Sequence, residues 1–193
     1  MASHRAAEAA MLAIEAALKR EQPAELIALG AVRLLGSADL ARQDLGNLLG
    51  LYLHRIALDP AARNRYRQPP PAANAAPQAL LPLTLHFLLF PWVGSASSEL
   101  RLLGWGMQTL ARICELDAAR IGAFDSEWGE QERAQLQPEE MSAEDLLRVW
   151  DGLPLKYRPS VPYVVRTVFV HDTPQPAAGP VRTRLFGYDG EVP

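Results

Sequence analysis

Apolar positions recur at helical spacing in three parts of the chain. Ala7, Met11, Ile14 and Leu18 follow one another at three- and four-residue steps behind Ser3, which can cap the helix, and the pattern stops before Pro23. Leu100, Leu103, Met107, Leu110 and Cys114 repeat the spacing after Ser97 or Ser98, predicting a second helix with those five residues on one core-facing stripe. Gly104 and Gly106 inside it each weaken the helix by about 1 kcal/mol relative to alanine. Their missing side chains predict a close approach to a sheet. Ser142 and Asp145 have the spacing of a capping box at the head of a third helix, which carries Leu146, Leu147, Val149 and Trp150 and ends near Gly152 and Pro154.

Between these helices the period shortens to that of strands. Ala31–Leu35 reads as a short strand, and in Leu49–Leu58 the series Tyr52, His54, Ile56, Leu58 alternates with Leu51, Leu53, Arg55. Both series are largely apolar, as in a strand whose sheet is covered. Leu80–Val93 is too short to span a bilayer, and Pro82 and Pro91 delimit it as a buried strand. A short strand is expected at Arg133–Gln137 and a long one at Ser160–Val170. Two segments lack periodicity: residues 59–79, rich in Pro, Ala, Asn and Arg, read as a long loop and a candidate contact surface. Residues 172–193 form a Pro/Gly-rich extension with one strand-like patch, Val181–Phe186. The order predicts an α/β (α+β) fold, a small mixed β-sheet flanked by about three helices, in one domain spanning residues 1–171.

Composition narrows the functions more than the fold. The 193 residues are 49% hydrophobic and 21% charged, which suits a globular core, and the net charge of -3 offers no general attraction to nucleic acid or anionic lipid. Cys114 is the single cysteine, so the chain forms no internal disulfide and no multi-cysteine zinc site; assembly in the cytoplasm is the simpler reading. No phosphate loop, dinucleotide fingerprint or nucleophile elbow occurs, and the Gly94–Glu99 stretch reads as a turn and cap. Cys114 reads as a buried small hydrophobe. His4, His54, His86 and His171 form no metal-binding spacing, although neighbouring strands would bring His54 and His86 together. Glu139, Glu140, Glu144 and Asp145 suit the start of a helix, where negative charge is favoured. No cofactor, metal or catalytic group is therefore expected. Arg63, Arg65 and Arg67 with Tyr66 between them are either a docking patch for an acidic partner or nucleic acid, or a solvated loop.

Three ordered blocks carry a family resemblance. Met141–Val170 (MSAEDLLRVWDGLPLKYRPSVPYVVRTVFV) is similar to the C-terminal stretch of tail-terminator, or cap, proteins of extracellular contractile injection systems of the virulence-cassette and antifeeding-prophage type. In those proteins a short helix ends in tryptophan and is followed by a Lys-Tyr-x-Pro-Ser turn and a long strand; Trp150, Lys156, Tyr157, Pro159 and Ser160 stand in those places. Leu51–Asn64 resembles the family's strand and Arg-Asn segment, and Leu81–Leu110 its leucine-rich strand, glycine turn and helix.

The resemblance implies a phage tail-terminator-like fold and a structural, non-enzymatic role. It implies a homohexameric ring seated on the last layer of inner tube and sheath, ending their polymerisation at the distal end of the particle. The implied partners are further copies of the chain, the tube protein and the sheath protein, without membrane or nucleic acid. Cytoplasmic assembly and later residence in the released particle follow from it. The alternatives are a baseplate or sheath adaptor of the same apparatus, or a small nucleic-acid-binding module built on the arginine loop. Candidate interface residues are Arg63, Arg65, Tyr66 and Arg67, and in the extension Val181, Arg182, Arg184 and Phe186, which are expected to add a strand to a neighbouring cap or sheath subunit.

Overall fold

The computed structural model describes residues 3–42, 44–59 and 80–171. Among them the elements run α1 (Ala6–Glu21), α2 (Ala24–Ile27), β1 (Ala31–Leu35), α3 (Ser37–Leu40), β2 (Leu48–Leu58), β3 (Leu80–Trp92), α4 (Ala96–Ile113), β4 (Glu115–Leu116), α5 (Ala118–Ile121), β5 (Ala134–Pro138), α6 (Ala143–Asp151) and β6 (Val161–His171). The six strands make one mixed sheet in the order β1-β2-β3-β6-β5-β4, parallel between β1 and β2 and antiparallel elsewhere. The expected mixed sheet and the three longer helices are present. The turns α2, α3 and α5 and the two-residue β4 were not expected, because four residues or fewer carry no measurable period.

Two cores hold the sheet. On one face Leu49, Leu51, Leu85, Phe87, Leu89, Tyr163 and Val165 pack under α1 and α4. On the other, Leu48, Leu88 and Phe90 pack with Leu35, Leu40, Leu45 and Trp150, beneath α3 and α6. Burial on both faces explains why β2 and β3 read as nearly continuous apolar runs. Gly50 lies opposite Phe90, and an added Cβ there would stand 2.8 Å from the ring, so the glycine makes room for the aromatic.

Five local readings of the sequence are corrected by the packing. Ser3 does not cap α1, whose N-cap is Arg5; its amide and hydroxyl instead donate to Asp125 Oδ2 at 3.0 and 3.2 Å and tether the helix start to the α5–β5 connection. The cap of α4 is Ser95, whose hydroxyl accepts from the Ser98 amide. The buried stripe of α4 is Leu102, Leu103, Gly106, Thr109, Leu110 and Ile113, whereas Leu100 and Met107 are 65% and 40% exposed. Gly106 is the reason: its would-be Cβ lies 3.0 Å from Leu49 and 3.1 Å from Leu89, so the helix seats on the sheet through that glycine and turns Met107 outward. Gly104 has open space instead. Cys114 is exposed and terminates α4 at φ 38°, a helix-ending residue rather than a core one.

Candidate assembly surface

β2, β3 and β6 outrun the strands beside them. β1 pairs only with Leu48–Tyr52, and β5 reaches only as far as Arg166, so β2 continues from Leu53 to Leu58 with no outer partner among the described residues. The projecting ribbon is bent by two bulges. One inserts His54 between the pairs Leu53–Phe87 and Arg55–His86; the other inserts two residues of β6 opposite Thr84, with Thr167 at φ 66°. Left-handed backbone is costly for a β-branched residue and is held here by the flanking ladder.

The His54 bulge also inverts the expected alternation. Directly opposed residues share a face: Tyr52 lies with Leu88 on the α6 side, but Ile56 and Leu58 lie with Leu85 and Leu83 on the α1 side. A two-residue period cannot reveal an inserted residue when both faces are apolar. On the ribbon's α1-side face Val168 is fully buried, while Ile56, Leu58 and Leu81 are 52%, 56% and 40% exposed. Apolar cover stops partway along.

The opposite face carries a polar cluster, of which the sequence announced only the meeting of His54 and His86 on neighbouring strands. His86 is buried on β3; its Nδ1 lies 2.7 Å from Glu139 Oε1 and its Nε2 3.1 Å from Arg55 Nη2. Guanidinium can only donate, so Nε2 accepts and Nδ1–H donates to the carboxylate. His54 sits beside it, ring centroids 6.3 Å apart. Burial lowers the His54 pKa from its ordinary 6.5, with His86 and Arg55 acting in the same direction and Glu139 opposing. Burial likewise raises the Tyr163 hydroxyl. His54, Arg55, Glu139, Glu140 and Asp145 line an open cleft between the ribbon and α6. The cluster ties β2 and β3 to the segment leading into α6. Among the described residues no group of three or more His, Cys, Asp or Glu is placed to hold a metal ion, and no helix is long and apolar enough to cross a membrane.

The Trp150-to-Ser160 motif is a packing device. Ser142 caps α6 by accepting from the Asp145 amide. Trp150, 2% exposed at its end, donates Nε1–H to Ser160 Oγ at 2.9 Å and meets the Phe90 and Tyr157 rings edge-on at 5.3 and 5.8 Å. The turn is thereby closed onto the start of β6. Lys156, Tyr157 and Pro159 are exposed. Arg158 was not singled out by sequence; it stacks 4.5 Å over Trp92 and pairs with the buried Glu99. Arg63, Arg65, Tyr66 and Arg67, and Val181, Arg182, Arg184 and Phe186, lie outside the described residues. The points where those segments join the fold, at Leu58 and Asp59, Leu80 and His171, are all on the tip of the ribbon.

The family model for the Pvc16 N-terminal domain matches residues 10–184, nearly the whole chain. The chain belongs to the Pvc16 N-terminal domain family. The match runs beyond the end of β6 into the extension. Two cryo-EM structures share the fold of this Pvc16-type domain. One is the sheath/tube terminator of PVC, an extracellular contractile injection system, in its extended state, with TM-score 0.59 and 18% identity over 95% of this chain and 63% of that one. The other is the tube-terminating cap of the anti-feeding prophage, with TM-score 0.62 and 17% identity over 93% of this chain and 60% of that one. The chain thus spans less than two thirds of the length of either. No curated protein matches it.

Proposed function

We propose that this Pvc16-type domain is the ring-forming part of a structural cap that ends inner-tube and sheath polymerisation at the distal end of a contractile injection particle. The observation that carries the reading is the family match over residues 10–184 together with a shared fold in a sheath/tube terminator and a tube-terminating cap. Termination requires complementary surfaces, and the projecting ribbon, with its exposed apolar tip and the roots of residues 60–79 and 172–193 beside it, is suited to supply them. The ring is homohexameric in this reading. Its heterologous contacts close by rotation, with Arg63, Arg65 and Arg67 directed at an acidic tube or sheath surface. Residues 172–193 serve as an interface extension, the domain assembles in the cytoplasm, and no catalysis is needed.

The test is particle imaging. Particles produced without this chain should show over-long, variable tubes or sheaths, and restoring it should return a uniform length with added density at the end opposite the baseplate. Uniform length without the chain, or density at the baseplate, would assign it to an adaptor instead. Reversing the charges of Arg63, Arg65 and Arg67 should impair capping and flatten its salt dependence; intact capping would make the loop merely solvated.

A further inference from the structure

The outer side of β2 differs from the other exposed edge of its half of the sheet. On β1 the Leu34 amide is occupied by Glu15 Oε1 at 2.9 Å, and that carboxylate is itself held by Lys19 at 2.8 Å. A side chain thus blocks strand addition there, the usual protection of an edge. Past Tyr52 this protection ends, because β1 ends.

Register shows which groups are open. Asp59 N–H donates to Pro82 O at 3.1 Å, and antiparallel bonding alternates along the ladder, so Ala57 and Arg55 turn their main-chain groups toward β3. Ile56 and Leu58 therefore turn theirs outward, and their side chains are the two most exposed on the apolar face. On the opposite face the same stretch borders the cleft in which the carboxylates of Glu139, Glu140 and Asp145 outnumber the guanidinium groups of Arg55 and Arg148.

The chain contains a segment with the matching pattern. In Val181–Phe186 (VRTRLF), Val181, Thr183 and Leu185 alternate with Arg182, Arg184 and Phe186. Added beside β2, one set extends the apolar face next to Ile56 and Leu58, and the two arginines fall on the side of the acidic cleft. The spacer from His171 carries Pro174, Pro176 and Pro180. At roughly 3.1 Å per residue for an extended proline-rich chain, the nine residues 172–180 have a reach of about 28 Å, enough to meet a neighbouring subunit.

We propose that the outer edge of β2 from Arg55 to Leu58 receives, by strand addition, the Val181–Phe186 segment of a second copy of the chain. The proposal rests on the ring reading for its neighbouring copies. It adds the acceptor edge, the donor segment and the face-to-face match between them.

Complementation tests it. The full chain, a truncation after Asp172, and Ile56→Pro are purified and their masses measured by size exclusion with light scattering. Ile56→Pro removes an outward amide and leaves the β2–β3 ladder intact; Ile56→Lys is the gentler second variant, and far-UV circular dichroism verifies both folds. The full chain should be multimeric, and the truncation and both edge variants should each have the mass of one chain. Mixing the truncated chain, which keeps the edge, with Ile56→Pro, which keeps the segment, should give a one-to-one complex. Replacing Arg182 and Arg184 by Glu in the donor should weaken that complex by about tenfold or more. Absence of the mixed complex overturns the proposal, as does a full chain of single-chain mass. Multimers untouched by Ile56→Pro and by truncation overturn the exchanged strand while leaving the ring reading standing.

Discussion

Leu80 and His171 face each other in the β3–β6 register, so the chain's return from residues 60–79 and its departure into residues 172–193 occur side by side. Asp59 joins them two strands across, through its bond to Pro82. The two segments that the sequence marks as irregular, 112 positions apart at their starts if counted from residue 60 to residue 172, thus have a common root. One end of one ribbon concentrates the chain's candidate contact surface.

The two glycines of α4 should respond oppositely to substitution. Gly104 faces open space, so Gly104→Ala should stabilise the fold by about 0.5–1 kcal/mol through helix propensity. Gly106→Val should destabilise by about 1–3 kcal/mol, because its side chain would push Leu49 and Leu89 apart. Urea unfolding midpoints measure both, and equal responses would mean that α4 does not seat through Gly106.

Cys114 offers a direct check on the end of α4. The exposed thiol should react stoichiometrically with an aromatic disulfide reagent in the native chain. Cys114→Gly should stabilise by about 1 kcal/mol, since glycine adopts the left-handed φ without strain. A silent thiol, or a large loss of stability, would place the residue in a core instead.

Removing Trp150 should be far worse than trimming its partner. Trp150→Ala should cost about 3–5 kcal/mol by emptying the space beside Phe90. Ser160→Ala should cost about 1–3 kcal/mol, the penalty of an indole N–H left without its acceptor. Thermal unfolding of the two variants decides the ranking.

The bulged histidine predicts a pH dependence. Because burial lowers the His54 pKa below 6.5, the unfolded chain takes up this proton at a higher pH than the folded chain does. The stabilising contribution of the neutral ring is complete above about pH 6.5 and declines as the pH falls below it. His54→Gln should therefore make the urea midpoint less sensitive between pH 7.5 and 5.5. An unchanged slope would mean that burial, with His86 and Arg55 beside the ring, does not hold His54 in its neutral form.

What the sequence determined by itself was local and periodic. The strands Ala31–Leu35 and Leu80–Trp92, the capped helix behind Ser142, and the ordered blocks around Trp150 and Tyr157 were legible because each is encoded in neighbouring residues. The family followed from that order. Tertiary structure decided which side of α4 is buried, since the choice between Gly106 and Met107 depends on Leu49 and Leu89, more than fifteen positions away in sequence. It decided the fate of Cys114 in the same way. It also placed the His54 bulge, invisible where both faces of β2 are apolar, and brought His86 to Glu139 across 53 positions. The edge from Arg55 to Leu58, open among the described residues, is likewise a tertiary fact, because an edge exists only where the neighbouring strand stops.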